Sequence, residues 1–406
     1  MRERHDVVVI GGGQAGLIMS HCLRERGREH VVLERNRIAE RWHSERWDSL
    51  AFQFPNYDIR LPGYQYTGND PEGFANYREI ASLLGDYAAQ INAPVRCGVN
   101  VDRVSVDTVS GRFSIETKEA TIEASHVVLA TGPFQRPFLP AFATHLPPRI
   151  QQVHASHYRN PTQLPEGAVL VVGSANSGCQ IAEELNESGR QVYFALSRHN
   201  RVPRRYRGRD VTWWYEKMGR WESKIDDMPG RKPPIPIVLS GVHGGHEMNV
   251  RQLAANGIVV LGHLLSVAGE KLAFADEAEA LLREADTAYW KFFDAADEYA
   301  RSTGLDFPLE PIERVTPVPI DAITSLDLFE AGIASVVWST GYSYDYGWLN
   351  LPVLDEQGAP VQRRGLTSCP NAYFLGLFWM HKFKSAILAY MDEDANYLAD
   401  HIARSR

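Results

Sequence analysis

One pattern, a short apolar strand breaking into a glycine-rich turn and then a helix, occurs twice, near residues 6–34 and 168–198. A strand–helix stretch returns near the end of the chain after a middle segment of different texture. Together these observations predict an α/β chain of two Rossmann-like dinucleotide-binding domains, the second inserted into the first. The expected division is 1–160 for the first part of domain one, 161–325 for the inserted domain with a helical insertion, and 326–406 for the closing part of domain one.

The 406 residues suffice for two or three cores, and 44% apolar with 23% charged residues is ordinary for a globular chain. A net charge of −8 gives no support for a nucleic-acid groove. Cys22, Cys97, Cys179 and Cys369 stand singly, which argues against a disulfide framework, a metal knuckle and a paired redox dithiol. With strand sequence beginning at Asp6 and no run of membrane-spanning length, a cytoplasmic enzyme without a membrane partner is expected.

Asp6–Ile10 reads as a buried parallel strand, followed by the G-x-G-x-x-G turn Gly11–Gly16, a helix over Gln14–Arg26 stopped by Gly27, and a second strand at Val31–Leu33. Gly11 allows the tight turn, Gly13 lets a pyrophosphate approach the backbone, and Gly16 lets helix and strand pack closely. The turn residues Gln14 and Ala15 open the helix whose free N–H groups face the phosphates, and Glu34 accepts from ribose hydroxyls. Arg35–Gly63, rich in arginine and aromatics, reads either as a wrap over the cofactor or as a surface excursion. Tyr77–Asn92 is an amphipathic helix, and Val99–Glu123 a β-meander. His126–Leu129 is a buried strand ending in Ala130-Thr131-Gly132, a pattern repeated by Ser335–Gly341, and a proline-rich link follows the first copy. Two such ends bring backbone close to a cofactor or mark a crossover.

Ala168–Val172, the turn Gly173-Ser174-Ala175-Asn176-Ser177-Gly178, a helix over Cys179–Ser188 and a strand over Gln191–Leu196 replay the opening. Here Ser197-Arg198 replaces the acid. An arginine bonds a 2′-phosphate that an acid would repel, so NADPH is favoured, with NADH as the alternative, and His199, Arg201, Arg204, Arg205 and Arg207 add positive charge nearby. The natural assignment is FAD in the first site and NADPH in the second. Residues 208–325 are least legible. Trp213, Trp214, Tyr215 and Trp221 read as core sooner than pocket, His243 and His246 as loop residues sooner than metal ligands, and Glu277–Thr303 as one long packing helix. Phe307–Pro319 is a return link, and Ala372–Gly376 leads into a helix from about Ser385 to Ala403. Its N-terminus, with His381 and Lys382 just before it, would stabilise negative charge on reduced flavin.

The stretches VVVIGGGQAG with Glu34, VVLATG, VLVVGSANSGCQIAEEL, VVWSTGY and AYFLGLFWMHKFKSA make the whole chain resemble the class B flavoprotein monooxygenases, and most of all the short bacterial FAD/NAD(P)-binding oxidoreductases among them. Of that family's long fingerprint only His154 and Tyr158 survive, Pro148 and Ile150 replacing its Phe and Gly. The paired glycines before Trp42 are Glu40 and Arg41 here. The resemblance implies that Trp42 contacts FAD, that Asn56 helps stabilise the oxygen adduct, and that a C4a-(hydro)peroxyflavin gives one oxygen from O2 to a small organic substrate. Arg35, Val101, Gly341 and Gly376 complete the expected cofactor set, and Asn56, His381 and Lys382 the expected catalytic set. The rival readings are an oxidase or dehydrogenase without oxygen insertion, or a non-catalytic nucleotide-binding regulator. The oligomeric state is open, a homodimer being allowed.

Overall fold

The structure is a computed structural model that describes residues 2–107, 109–234, 236–308, 310–312, 314 and 317–405, so the expected return link at 307–319 lies partly outside the described residues. Along the chain run β1 (Arg2–Ile10), α1 (Gln14–Glu25), β2 (His30–Glu34), α2 (Tyr77–Gln90), β3 (Val95–Cys97), β4 (Val101–Val106), β5 (Phe113–Thr117) and β6 (Thr121–Leu129). They are followed by β7 (Gln151–His154), β8 (Ala168–Val172), α3 (Asn176–Glu187), β9 (Val192–Ala195), β10 (Val259–Leu261) and α4 (Ala278–Thr303). The chain closes with β11 (Ile333–Trp338), β12 (Leu349–Asn350), β13 (Ala372–Phe374) and α5 (Asp392–Arg404).

The first sheet runs β12-β4-β5-β6-β1-β2-β3, with β13 beside the second half of β6. Strand β1 pairs in parallel with β2 and β6, Ile10 lying opposite Leu33 and Leu129. Gly11, Glu34 and Ala130 therefore leave three adjacent strands at one edge, where the ligand crevice of such a sheet opens. The last strand of the expected meander and the buried strand after it are a single strand, β6. Its first half pairs with β5 and its second half with β13.

The second sheet is wholly parallel, in the order β7-β11-β8-β9-β10. Two of its strands lie outside the expected 161–325 span, for β7 precedes it and β11 follows it. The physical reason is the central strand: all five residues of β8 are buried, and β9 covers only one of its edges. The other edge is satisfied by β11, which sequence reasoning placed in the closing part of domain one. Val172 lies opposite both Ala195 and Trp338, so Gly173, Leu196 and Ser339 leave this sheet together, as in the first.

Trp214, Trp221, Phe292 and Phe293 are buried with Phe54 in one cluster, and Phe52, Phe383 and Tyr390 pack on them. The aromatic residues of the insertion thus form a core joined to the first domain. His246 meets Glu183 at 2.8 Å and His243 meets Glu187 at 3.3 Å. No helix among the described residues is long and apolar enough to cross a membrane.

Candidate active site

The first turn is fixed by sterics. Gly11 has φ +113°, and a side chain there would meet the Ala130 carbonyl oxygen at 2.6 Å; one at Gly16 would meet the Gly11 oxygen at 1.9 Å. At Gly13 nothing lies within 4 Å of where a Cβ would stand, so the turn is open on the side a phosphate approaches. Gly13 caps α1 without any side-chain hydrogen bond, leaving the first helical N–H groups for a ligand. The Glu34 carboxylate accepts from Gly12 N at 2.7 Å and Asn36 N at 2.9 Å, which holds it at the end of β2.

These groups open into a cleft of about 520 Å3. Gly11, Gly13, Gln14, Ala15, Glu34, Arg35, Trp42, Val101, Ala130, Thr131, Gly132 and Gly376 all line it. Gly16 lies beneath it, against Gly11. Sequence reasoning missed Arg46, Phe134, Gln135 and Phe378 on the same walls. They come from loops without periodicity and had no signal of their own. The turn, the open flank at Gly13 and the cleft fit an adenine dinucleotide extended from Glu34 toward Phe378.

The second turn repeats the first closely. Gly173 has φ +106°, a Cβ there would meet the Ser339 oxygen at 2.4 Å, and one at Gly178 would meet the Gly173 oxygen at 1.7 Å. Helix α3 begins at Asn176, three residues earlier than expected, and its cap Ala175 makes no side-chain bond either. Ser174 Oγ donates to the Ser197 carbonyl at 3.2 Å and accepts from Ser197 N at 3.1 Å, tying turn to strand end. Asn176 bridges Ile237 O and Leu239 N, and Ser177 opens the helix beside it. The basic cluster is mostly committed elsewhere. Arg201 pairs with Glu247 and Asp286, Arg204 with Asp210, Arg205 with Glu72, and Arg207 with Asp297. His199 donates to the Ser174 carbonyl at 3.0 Å, and burial pushes its pKa down. Arg198 is exposed, and it is the one member of this group that makes no ion pair or hydrogen bond among the described residues.

The two strand-end motifs meet. Residues 136–137 and 342–343 pair antiparallel, and the Gly341 carbonyl accepts from Phe138 N and His154 Nε2, each at 3.0 Å. Gln135 donates to Thr131 Oγ1 and the Gly132 carbonyl at 2.9 Å and accepts from Asp345 N at 2.7 Å. Burial lowers the His154 pKa, in keeping with a neutral ring that donates to Gly341. The crossovers thus hold the two strand ends, and so the two turns, in one fixed relation.

The expected catalytic residues are placed differently. Asn56, His381 and Lys382 are not among the residues that line the cleft. Asn56 is buried, its Nδ2 donating to the Asp70 carbonyl at 2.9 Å and its Oδ1 unpartnered. Lys382 meets Glu222 at 2.7 Å and Glu393 at 2.5 Å, and Lys384 joins the same two carboxylates. Burial pulls the Lys382 pKa down, but the bonds to Glu222 and Glu393 outweigh it and hold it raised. His381 lies 3.6 Å from Asp394, and burial lowers its pKa. The last helix starts at Asp392, not Ser385, because the backbone over Phe383–Ala386 closes only one tight 3-10 turn. Its own Asp392, Glu393 and Asp394 occupy the first turn and neutralise the positive helix end that was expected to face a flavin.

A family described as pyridine nucleotide-disulphide oxidoreductase matches residues 8–214. An oxidoreductase of Geobacillus kaustophilus named CzcO-like is 33% identical over 405 residues, covering 99% of each chain. The probable indole-3-pyruvate monooxygenase YUCCA1 of Arabidopsis thaliana is 32% identical over 191 residues, covering 45% of this chain and 44% of that one. Among solved structures, a flavin-containing monooxygenase from Stenotrophomonas maltophilia superposes with a TM-score of 0.69 at 20% identity, covering 98% of both chains. The bacillithiol disulfide reductase Bdr of Staphylococcus aureus does so with a TM-score of 0.60 at 13% identity, covering 100% of both. The chain belongs to the pyridine nucleotide-disulphide oxidoreductase family: it is an oxidoreductase for FAD and a pyridine nucleotide, with the two-dinucleotide fold seen in the flavin-containing monooxygenase.

Proposed function

We propose that this protein is a cytoplasmic, NADPH-dependent FAD monooxygenase that transfers one oxygen atom from O2 to a small organic substrate. The observation that carries the reading is the junction of the two turns: both open at strand ends that the 136–137 and 342–343 pair holds together, so nucleotides in the two sites converge. Relatives and structural neighbours named as monooxygenases support oxygen insertion over plain electron transfer.

FAD, when bound, would supply the redox chemistry between the nicotinamide and O2. The protein's part is to hold and orient. The N-terminus of α1 takes the FAD pyrophosphate, Glu34 takes the ribose hydroxyls, and the N-terminus of α3 takes the nucleotide pyrophosphate. Arg198, exposed at the end of β9 and free of acids, takes the 2′-phosphate that selects NADPH over NADH. Asn56 uses one of its two amide hydrogens on the Asp70 carbonyl and leaves its Oδ1 unpartnered, so donating toward oxygen rests on the second hydrogen alone.

A thiol–disulfide reading, which the family description invites, lacks a reactive thiol at the cleft. Burial pushes the Cys22 thiol up to about 12 and raises Cys179 and Cys369 as well, while exposed Cys97 pairs with Glu34 at the adenosine end. The test is turnover with NADPH under heavy-isotope O2 on a panel of one amine, one sulfide and one ketone. Label in the product with matching NADPH consumption is expected. Unlabelled product, or NADPH oxidation matched wholly by reduction of O2 to hydrogen peroxide, overturns the monooxygenase in favour of an oxidase.

A further inference from the structure

The cleft is read above as receiving FAD, whose pyrophosphate brings two negative charges. Yet its walls carry more carboxylates than cations, and the cations are Arg35, Arg41 and Arg46. Arg35 is exposed beside Glu34, at the ribose end. Arg41 is spent: its Nη1 meets Glu45 at 2.5 Å and its Nη2 donates to the Gln135 carbonyl at 3.0 Å.

Arg46 is different. Its guanidinium lies over the Trp42 ring, 4.8 Å from the centroid, and its one hydrogen bond, 2.8 Å long, runs to the Glu45 carbonyl. No carboxylate comes within ion-pair distance of it among the described residues, and Glu45, the nearest in sequence, is bound to Arg41. Arg159, also near, bonds only backbone carbonyls and so adds like charge. Burial lowers the Arg46 pKa; Tyr342 and the Glu45 carboxylate act against it, and Arg41 and Arg159 add to it. Arg46 is half-buried, and drawing a cation partly out of water without an ion-pair partner is costly, so the arrangement makes sense once a ligand supplies the anion. A guanidinium pinned flat on an indole keeps most of its five donors free in a planar fork, the geometry that matches two phosphate oxygens.

We propose that Arg46 is a pyrophosphate-holding residue of the flavin cleft, adding a side-chain cation to the backbone donors of the α1 N-terminus. The proposal rests on the cleft being the FAD site and adds a residue that the first-turn motif does not contain.

Apoprotein titrations with FAD, ADP and riboflavin test it, on the wild type, Arg46→Gln and Arg46→Lys. Loss of a charge-assisted bond predicts that Arg46→Gln weakens FAD and ADP roughly ten- to hundredfold, leaving riboflavin unchanged. Arg46→Lys recovers part of the loss, because charge returns without the fork. Unchanged FAD affinity in Arg46→Gln refutes the assignment, as does an equal loss of riboflavin affinity, which would place the guanidinium at the flavin ring. A loss confined to NADP+ titrated onto the FAD-loaded variant also refutes it. Wild-type protein that binds no FAD at all refutes the reading of the cleft instead, so the two failures are told apart.

Discussion

Gly178→Ala separates the two sites. An added methyl would stand 1.7 Å from the Gly173 carbonyl oxygen, and no rotamer relieves a contact between Cβ and backbone. Reaching even the 3.0 Å limit of real Cβ contacts requires the turn to open by about 1.3 Å, the difference of the two distances. That displacement takes N–H groups from about 2.9 Å of a phosphate oxygen to beyond hydrogen-bond reach. Strain of about 1–3 kcal/mol and one or two lost charge-assisted bonds of about 1.5–3 kcal/mol each sum to about 2.5–9 kcal/mol, or roughly 10²- to 10⁶-fold in nucleotide affinity. The variant should purify yellow with FAD, be reduced by dithionite, and fail in stopped-flow reduction by NADPH. Gly16→Ala, with 1.9 Å to the Gly11 oxygen, should do the reverse: a colourless protein that still binds NADP+. Wild-type rates of NADPH reduction in Gly178→Ala, or loss of FAD from it with nucleotide binding intact, would refute the assignment of the turns.

Arg198→Glu should raise the KM for NADPH at least tenfold more than that for NADH, since it puts like charge against a 2′-phosphate; equal losses would place Arg198 away from that phosphate. His126, buried in β6, has its pKa pushed down to about 4 by burial, below the 6.5 of an unfolded histidine. The unfolded chain therefore takes up the proton first, and stability present at pH 7 is lost as pH falls from about 6.5 toward 4. Thermal melts across that window should show the loss, and His126→Gln should flatten the part due to this ring. Lys382→Met leaves Glu222 with Lys384 alone and Glu393 with Lys384 and the more distant Arg364, so it should lower the melting temperature, and by less in 1 M than in about 0.05 M salt because exposed members are screened. A loss independent of salt would mean that the lysine stem, not its charge, does the holding.

What was legible in the chain was what sterics impose at fixed spacing. Gly11 and Gly16, and again Gly173 and Gly178, are required by contacts of 1.7 to 2.6 Å between a turn and its own neighbours. Such a requirement survives any surroundings, so the turns, their helices and the acid or arginine that ends the next strand could be found by counting. Charges were legible only in number. Arg201, Arg204, Arg205 and Arg207 looked like one positive field around Arg198, but each has its own acid: Asp210 close by for Arg204, and Glu247, Glu72 and Asp297, distant in sequence, for the others. His381 and Lys382 looked poised beside a helix end, but that end starts at Asp392 and carries its own acids. Arg41 and Arg46 make the point within one stretch. Their side chains and local composition are alike, yet Arg41 took Glu45 and left Arg46 on Trp42 with no ion pair among the described residues. The role of a charged residue in this protein is therefore decided by which opposite charge the fold brings to it, and the cation left unmatched is the one that points to a ligand.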